Sequence, residues 1–224
     1  MAIISTSDLL RRIPLFSSLT DKQLEEVSQD VKKERFKKDA FVVTQGFSSD
    51  ALHIFLNGKA QVLRKNKEGQ EVIISILSPG DYAGEMSLID QIPHSASVRA
   101  VLQSDVLILK NATFARFMPE VSTPAHKILC MLVKRLRYAN EQIESLALMD
   151  VFGRVARMLL EMAVDDEEGG LIIRIKFSQQ DMAKMVGSSR EMVFRALKSL
   201  EERGFTRTDS NGFLLIKTDI RSAF

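Results

Sequence analysis

Between residues 125 and 147 the chain contains neither proline nor glycine, and small or branched apolar residues recur at alternating spacings of three and four. This spacing is the a/d pattern of a coiled coil and predicts one helix with a narrow apolar seam. The seam spans fewer than three heptads, so packing onto the helix's own domain is the alternative. The narrow stripe favours a two-chain coiled coil and therefore a homodimer. The seam consists of Leu129, Leu132, Leu136, Ala139, Ile143 and Leu146.

The part of the chain before this helix has the texture of an all-β domain. From about residue 36 to residue 110, short apolar runs alternate with glycine or proline at intervals of about ten residues, which is typical of a β-roll or barrel. Asn57-Gly58 and Glu68-Gly69 are predicted as hairpin turns. Two short helices come first, and the second begins at Thr20 with a capping box.

After the long helix, the sequence predicts a small DNA-binding domain. A helix is predicted at about 151–164 and a strand at 171–175, followed by two short helices separated by Gly187. A helix-turn-helix needs a small residue where its helices cross, here Ala183, and a residue with positive φ in the turn, here Gly187. Val193 supplies an apolar anchor on the second helix. A hairpin around Asn211-Gly212 completes a winged helix.

The second of these helices begins with side chains suited to reading base edges. Arginine donates to guanine O6 and N7, and glutamate accepts from cytosine N4. Arg190, Glu191 and Arg195 are predicted to contact bases, and Lys198 to contact phosphate. The alternative is a solvent-exposed helix face without a role in DNA binding, on which Glu191 forms a capping box with Ser188. The predicted DNA-binding residues are Ser189, Arg190, Glu191, Arg195 and Lys198.

Composition excludes several other classes of protein. The chain of 224 residues has one cysteine and three histidines, which leaves no disulfide framework and no metal or iron–sulfur site, and no metal cofactor is expected. It has no P-loop, nucleophile elbow or zinc-protease motif, so we expect no enzyme activity. No apolar run is long enough to span a membrane, and the first residues do not form a signal peptide. We therefore expect a cytoplasmic protein with no membrane partner.

The net charge of +2 is unevenly distributed. Residues 171–224 carry a net charge of +4, and the rest of the chain carries −2. A small excess of positive charge around the predicted helix-turn-helix is consistent with double-stranded DNA as a partner.

Four segments resemble one family of proteins. They are 84–88 (GEMSL), 95–100 (SASVRA), 146–156 (LALMDVFGRVA) and 186–191 (VGSSRE). The chain resembles the catabolite-activator/fumarate-nitrate-regulator class of bacterial transcription factors over nearly its whole length. The resemblance implies an α+β protein with a cyclic-nucleotide-binding, jelly-roll-like β-roll in residues 1–120, a dimerisation helix in 121–148 and a winged helix-turn-helix in 149–224. It also implies palindromic TGTGA-type half-sites and RNA polymerase as a partner.

The same resemblance implies a ligand site with two departures from the family pattern. Glu85 matches the residue that holds the ribose 2′-hydroxyl, but His94 stands where the family has a phosphate-binding arginine. A neutral histidine is a poor substitute for that arginine. Ala139 and Asn140 stand where the family has an adenine-contacting threonine–serine pair. The predicted ligand-binding residues are Gly84, Glu85, Met86, Ser87, His94, Ser95 and Asn140.

Three interpretations of the β-roll stay open. It binds cyclic AMP with backbone amides carrying the phosphate, or it binds cyclic di-GMP, whose guanines would use Arg99, Arg135 or Arg137. In the third interpretation the β-roll is only a scaffold, and the chain is a ligand-independent DNA-binding regulator. The first two make a cyclic nucleotide the effector, with no cofactor required.

Overall fold

The computed structural model describes residues 6–11, 13–118, 120–121, 123–166, 170–175, 177–209, 213–217 and 220. The chain divides into two compact units, Met1–Glu141 and Gln142–Phe224. The dividing point lies inside the long helix. The predicted three-part division at residues 120 and 148 stays a prediction.

The first unit is built from two antiparallel sheets with helices at both ends of the chain segment. One sheet has the strand order β1-β8-β3-β6 and the other has the order β2-β7-β4-β5. The elements are α1 (Thr6–Arg11), α2 (Asp21–Gln29), β1 (Val31–Phe36), β2 (Phe41–Val43), β3 (Ala51–Phe55), β4 (Ala60–Lys65), β5 (Glu71–Leu77), β6 (Tyr82–Ala83), α3 (Glu85–Asp90), β7 (Ser97–Ala100), β8 (Ser104–Lys110), α4 (Asn111–Phe114) and α5 (Pro124–Leu148).

Local sequence explains most of these elements. Helix α2 begins at the predicted capping box, in which the Thr20 hydroxyl accepts from the Gln23 backbone N–H and the Gln23 side chain accepts from the Thr20 N–H. All five residues of β3 are buried, as expected for a strand that is covered on both faces. Strand β1 was not predicted, because its central residues are charged.

One of the two predicted hairpin turns is wrong. Strands β3 and β4, which flank Asn57-Gly58, belong to different sheets. Asn57 instead hydrogen-bonds to Asp105 through its side chain. A Cβ on Gly58 would lie 2.1 Å from the Ser104 hydroxyl, so glycine permits this close approach to β8. The Glu68-Gly69 turn is confirmed, because β4 and β5 pair up to Lys65 and Glu71 on either side of it.

Helix α5 confirms the predicted uninterrupted helix, and its faces differ. Val133 and Asn140 are buried. The seam face is open in the single chain: Leu132, Leu136, Ile143 and Leu146 are 50, 48, 42 and 53% exposed. A row of half-exposed large apolar side chains on one helix face is unusual for a surface that remains in water.

The second unit combines helices with a small antiparallel sheet of order β11-β12-β10-β9. Its core is formed by residues of both helices and strands, with Leu159, Val193 and Leu200 fully buried. The predicted wing turn at Asn211-Gly212 lies outside the described residues. The elements are α6 (Val151–Met162), β9 (Val164–Asp165), β10 (Leu171–Ile173), α7 (Gln179–Met185), α8 (Arg190–Glu202), β11 (Thr206–Thr208) and β12 (Leu214–Ile216).

The predicted α+β class is confirmed by this mixture of sheets and helices. Within the described ranges, no helix has both the length and the apolar character needed to cross a membrane.

Candidate functional site

The turn between α7 and α8 has the features of a helix-turn-helix. Ala183 and Val193 are buried, 2 and 0% exposed, where the two helices meet. Gly187 has φ +61°, and the following Ser188 N–H donates to the Ala183 carbonyl at 2.9 Å. The predicted small crossing residue, positive-φ turn residue and apolar anchor are therefore confirmed.

This turn is fixed to the preceding helices of the same unit by Arg154. Its Nε donates to the Val186 carbonyl at 3.0 Å, and its Nη1 donates to the Met149 carbonyl at 2.9 Å. A Cβ on Gly187 would lie 3.1 Å from Leu146 Cδ2, so the turn also packs tightly on the end of α5. These contacts set the orientation of α8 within the unit.

The N-terminus of α8 differs from the predicted alternative. Ser189 is the N-cap, and its hydroxyl accepts from the Met192 backbone N–H at 3.2 Å. A capping box between Ser188 and Glu191 is therefore wrong by one residue, since Glu191 is at the second helical position. The Glu191 carboxylate accepts a hydrogen bond from the Arg195 guanidinium instead.

The predicted base-reading side chains are open to solvent on α8. The side chains of Glu191, Arg195 and Lys198 are 71, 66 and 63% exposed. Arg190 is also exposed, with its Nε 3.5 Å from Gln179 Oε1. An exposed ion pair such as Arg195–Glu191 contributes only about 0–1 kcal/mol, so both side chains remain available for other partners. Their contacts with DNA, and those of Ser189, stay a prediction.

In the first unit, all seven predicted ligand residues border one cavity. Its volume is about 340 Å³, and residues of β4, β5, β6, β7, α3 and α5 contribute to its walls. Gly84, Glu85, Met86 and Ser87 come from the start of α3, His94 and Ser95 from the following loop, and Asn140 from α5. The seam residue Leu136 also lines it. Their role in binding a ligand stays a prediction.

Gly84 allows the chain to enter α3 close to the neighbouring strand. Its φ is +96°, and a Cβ at this position would lie 2.8 Å from the Ala51 carbonyl oxygen. Only glycine fits both conditions. The first N–H groups of a helix have no acceptor within the backbone of that helix, and Glu85, Met86 and Ser87 at the start of α3 line the cavity.

His94 has a structural setting that the sequence did not reveal. The side chain is buried, with Nδ1 2.9 Å from the Ser87 hydroxyl and Nε2 2.8 Å from the Ser49 hydroxyl. Burial, and secondarily the charge of Arg137, lowers the pKa of His94. A neutral imidazole held between two hydroxyls gives no positive charge to the cavity, which supports the prediction that it substitutes poorly for arginine.

Glu85 is the acidic member of the cavity. Burial raises the pKa of Glu85, and its own backbone N–H and the charge of Arg137 act in the opposite direction. A carboxyl group at this position can accept a hydrogen bond from a hydroxyl of a ligand.

The arginines near the cavity are engaged in different ways. Arg137 donates to both carboxylate oxygens of Asp90, at 2.6 and 2.9 Å, and to two backbone carbonyls of the loop that follows α3. Arg99 pairs with Glu71 at 3.1 Å. Arg64 was not predicted to lie near this site, but its Nη1 donates to the carbonyl of the cavity residue Ser95 at 2.6 Å. The sequence feature that could have indicated it is the position of Arg64 two residues after Val62 in β4, because side chains two residues apart in a strand share a face.

Both units match known protein families. Residues 33–120 match the cyclic nucleotide-binding domain, and residues 153–219 match the Crp-like helix-turn-helix domain. The cAMP-activated global transcriptional regulator Vfr of Pseudomonas aeruginosa is 30% identical over 206 residues, which cover 88% of this chain and 95% of that protein. This chain belongs to the Crp-like family of transcription regulators.

One further relative agrees with this assignment, and one solved structure is similar in fold. The CRP-like cAMP-activated global transcriptional regulator of Mycobacterium tuberculosis is 26% identical to this Crp-like regulator over 211 residues, covering 93% of this chain and 94% of the relative. The regulatory domain of Toxoplasma gondii PKA, solved with cAMP, superimposes with a TM-score of 0.50 at 23% identity, covering 58% of this chain and 49% of that one. The latter likeness concerns the fold alone.

The predicted family and the general function of a DNA-binding regulator with a cyclic-nucleotide-binding domain are thus confirmed. Its named relatives are transcription regulators. In the part of the chain that is described, no group of three or more metal-ligating side chains could hold a metal ion.

Proposed function

We propose that this Crp-like regulator is a homodimer that reads palindromic TGTGA-type half-sites with α8, under the control of a cyclic nucleotide bound in the β-roll cavity. The observation that carries the proposal is the exposed cluster of Arg190, Glu191 and Arg195 at the start of α8, directly after a helix-turn-helix turn. This is the geometry in which a recognition helix presents its first residues to the major groove.

Each residue of the cluster has a distinct role in this proposal. Arg190 and Arg195 donate to guanines, and Glu191 accepts from a cytosine. Ser189 and Lys198 contact phosphates, which positions the helix without selecting a sequence. The Arg195–Glu191 ion pair opens, or is shared with the base pair, when the helix enters the groove.

The open face of α5 supports the homodimer. Four large apolar seam residues remain about half exposed in the single chain, and a second copy of the helix would cover them by knobs-into-holes packing. A two-fold dimer places two recognition helices on a palindromic site about one helical turn apart.

The size of the cavity favours a cyclic mononucleotide over a cyclic dinucleotide. Its 340 Å³ is near the lower end of the roughly 300–1,000 Å³ found for small-molecule sites. Glu85 would hold a ribose hydroxyl, the start of α3 would hold the phosphate, and Asn140 would face the base. Of the three arginines predicted as guanine contacts, Arg99 and Arg137 are paired with Glu71 and Asp90, which leaves only Arg135 without such a carboxylate pairing among the described contacts. Cyclic AMP is therefore the first ligand to test.

A second candidate is a regulator that binds DNA without a ligand. The neutral, hydrogen-bonded His94 in place of a phosphate-binding arginine favours it, because an anionic ligand loses its expected cation. In both candidates RNA polymerase is the partner on DNA, the protein acts in the cytoplasm without a membrane partner, and it catalyses no reaction.

The decisive experiment measures fluorescence anisotropy of a labelled duplex with two inverted TGTGA half-sites, titrated with the full-length protein. The matched control is a duplex of the same composition with scrambled half-sites. We expect at least about a thousandfold preference for the operator, and a change in operator affinity when cyclic AMP is added. Equal affinity for both duplexes would contradict sequence-specific reading. A preference that cyclic AMP, cyclic GMP and cyclic di-GMP all leave unchanged would favour the ligand-independent regulator.

A further inference from the structure

An aromatic side chain lies among the charged residues at the start of α8. Phe194 comes four positions after Arg190 and three after Glu191. Residues three or four positions apart in a helix are neighbours on one face, so Phe194 shares the face of the predicted base-reading residues. It is 51% exposed. The recognition helix therefore presents an apolar ring to solvent beside the arginine and the glutamate.

The packing of α8 does not account for this ring. The buried side of the helix is formed by Val193, Ala196 and Leu200. Phe194 instead borders a cavity of about 630 Å³, whose walls include the polar side chains of Gln179 and Lys198. A side chain that is half exposed and beside open space contributes less to the core than a fully buried one. A phenylalanine at this position is therefore not explained by the stability of the unit.

The neighbours of Phe194 identify what would cover it. Arg190, Arg195 and Lys198 are exposed on the same helix, and this positive charge attracts the DNA backbone. The phenyl ring has no hydrogen-bonding group, so it can neither contact a phosphate by a hydrogen bond nor donate to a base. Among the groups that base pairs present in the major groove, the apolar one is the C5-methyl group of thymine. The ring is matched to that methyl group.

We propose that Phe194 is a further specificity-determining residue, which packs against the 5-methyl group of one thymine in each half-site. This inference rests on the proposed function, namely that α8 reads bases in the major groove. Phe194 follows Arg190 and Glu191 by about one helical turn, so its thymine is close to the base pairs that these two side chains read. The contact distinguishes thymine from cytosine, which has no methyl group at C5.

The test removes the methyl group and nothing else. Deoxyuridine pairs with adenine as thymidine does but has a hydrogen atom at C5. Anisotropy titrations at fixed salt use operators in which one thymine, at the matching position of both half-sites, is replaced by deoxyuridine, for each thymine of either strand in turn. The wild type should bind one of these duplexes about tenfold more weakly than the operator, because two methyl contacts are lost.

The same duplexes are then titrated with Phe194→Ala. This variant should bind the deoxyuridine duplex and the operator with affinities within about twofold of each other, because no ring is left to contact the methyl group. Alanine has the highest helix propensity, so α8 is retained. Equal affinity of wild type and variant for random DNA verifies that the variant is folded, since the methyl contact contributes only at the operator.

Met192→Ala is the matched control. It also removes an exposed apolar side chain from α8, since Met192 is 41% exposed. Residues two positions apart in a helix do not face the same way, so Met192 lies on another side of the helix from Phe194. Met192→Ala should keep the tenfold preference for thymine of the wild type.

Two results would overturn the role of Phe194 and leave operator reading intact. In the first, the wild type prefers the operator over scrambled DNA but is unaffected by deoxyuridine at every position. In the second, Phe194→Ala keeps the full wild-type preference for thymine. A wild type that binds the operator and scrambled DNA equally would overturn the proposed function as well.

Discussion

A lysine at Leu132 should separate the proposed dimer. Leu132 belongs to the seam of α5, is 50% exposed in the single chain, and does not line the ligand cavity. That makes it a cleaner probe than Leu136, which borders both the seam and the cavity. Leu132→Lys removes an apolar contact and introduces an ammonium group at the same position of both helices.

The expected loss of dimer stability follows from how much of the Leu132 side chain is exposed in the single chain. Complete burial of a leucine side chain stabilises by about 1.5–3 kcal/mol, so covering the remaining half gives about 1 kcal/mol per protomer. Two copies contribute about 2 kcal/mol to the dimer. Two like charges brought together at the interface add about 1–2 kcal/mol. A total of about 3–4 kcal/mol corresponds to a dimer dissociation constant several-hundred-fold higher.

Sedimentation velocity over a range of protein concentrations measures this change. We expect a dimer for the wild type, a monomer for Leu132→Lys at the same concentration, and loss of operator binding with it. Tyr138→Lys is the control, since Tyr138 is 53% exposed on the same helix and outside the seam. If Leu132→Lys remains a dimer with wild-type operator affinity, the seam is not the interface.

Three further substitutions test the β-roll. Gly84→Ala forces a side chain into a positive-φ position 2.8 Å from a backbone carbonyl, and should lower the free energy of unfolding by about 1–3 kcal/mol in a urea titration and abolish ligand binding. His94→Arg should tighten cyclic AMP binding in calorimetry, and unchanged affinity would mean that the phosphate lies elsewhere. Arg35, with further partners, holds the pKa of Asp105 well below its usual range; this stabilisation is complete above the ordinary carboxyl pKa and is lost as pH falls below it. Asp105→Asn should therefore lower the free energy of unfolding by about 1–3 kcal/mol at neutral pH and by less at about pH 3. An equal loss at both pH values would refute this linkage.

Buried and periodic segments were predictable from sequence, and charged edges were not. The strands with apolar runs and the long helix α5 follow directly from their spacing of hydrophobic residues. Strand β1 lies at the edge of its sheet, opposite β8. Edge strands carry lysine and other charged residues that discourage pairing with other chains. For this reason the sequence of β1 lacks the alternating apolar pattern that predicts a strand.

Contacts between distant residues account for the rest. Asn57-Gly58 has the composition of a hairpin turn, but its partner is Asp105, 48 residues away. The family resemblance places His94 in the ligand site, ten residues after Gly84, whereas its hydrogen-bond partner Ser49 comes from another part of the β-roll. The approach of Arg64 to Ser95 likewise appears only when the strands are paired. Single-chain periodicity contains no information about such pairs.

Arg190→Ala distinguishes base reading by α8 from contact with the phosphate backbone alone. The measurement is a set of anisotropy titrations, at fixed salt, of wild type and variant against the operator, its single-base variants and random DNA. We expect a loss of about 1–3 kcal/mol at the operator, no change on random DNA, and relaxed preference at one base pair of each half-site. An equal loss of affinity for operator and random DNA would show that Arg190 contacts the phosphate backbone and does not read a base.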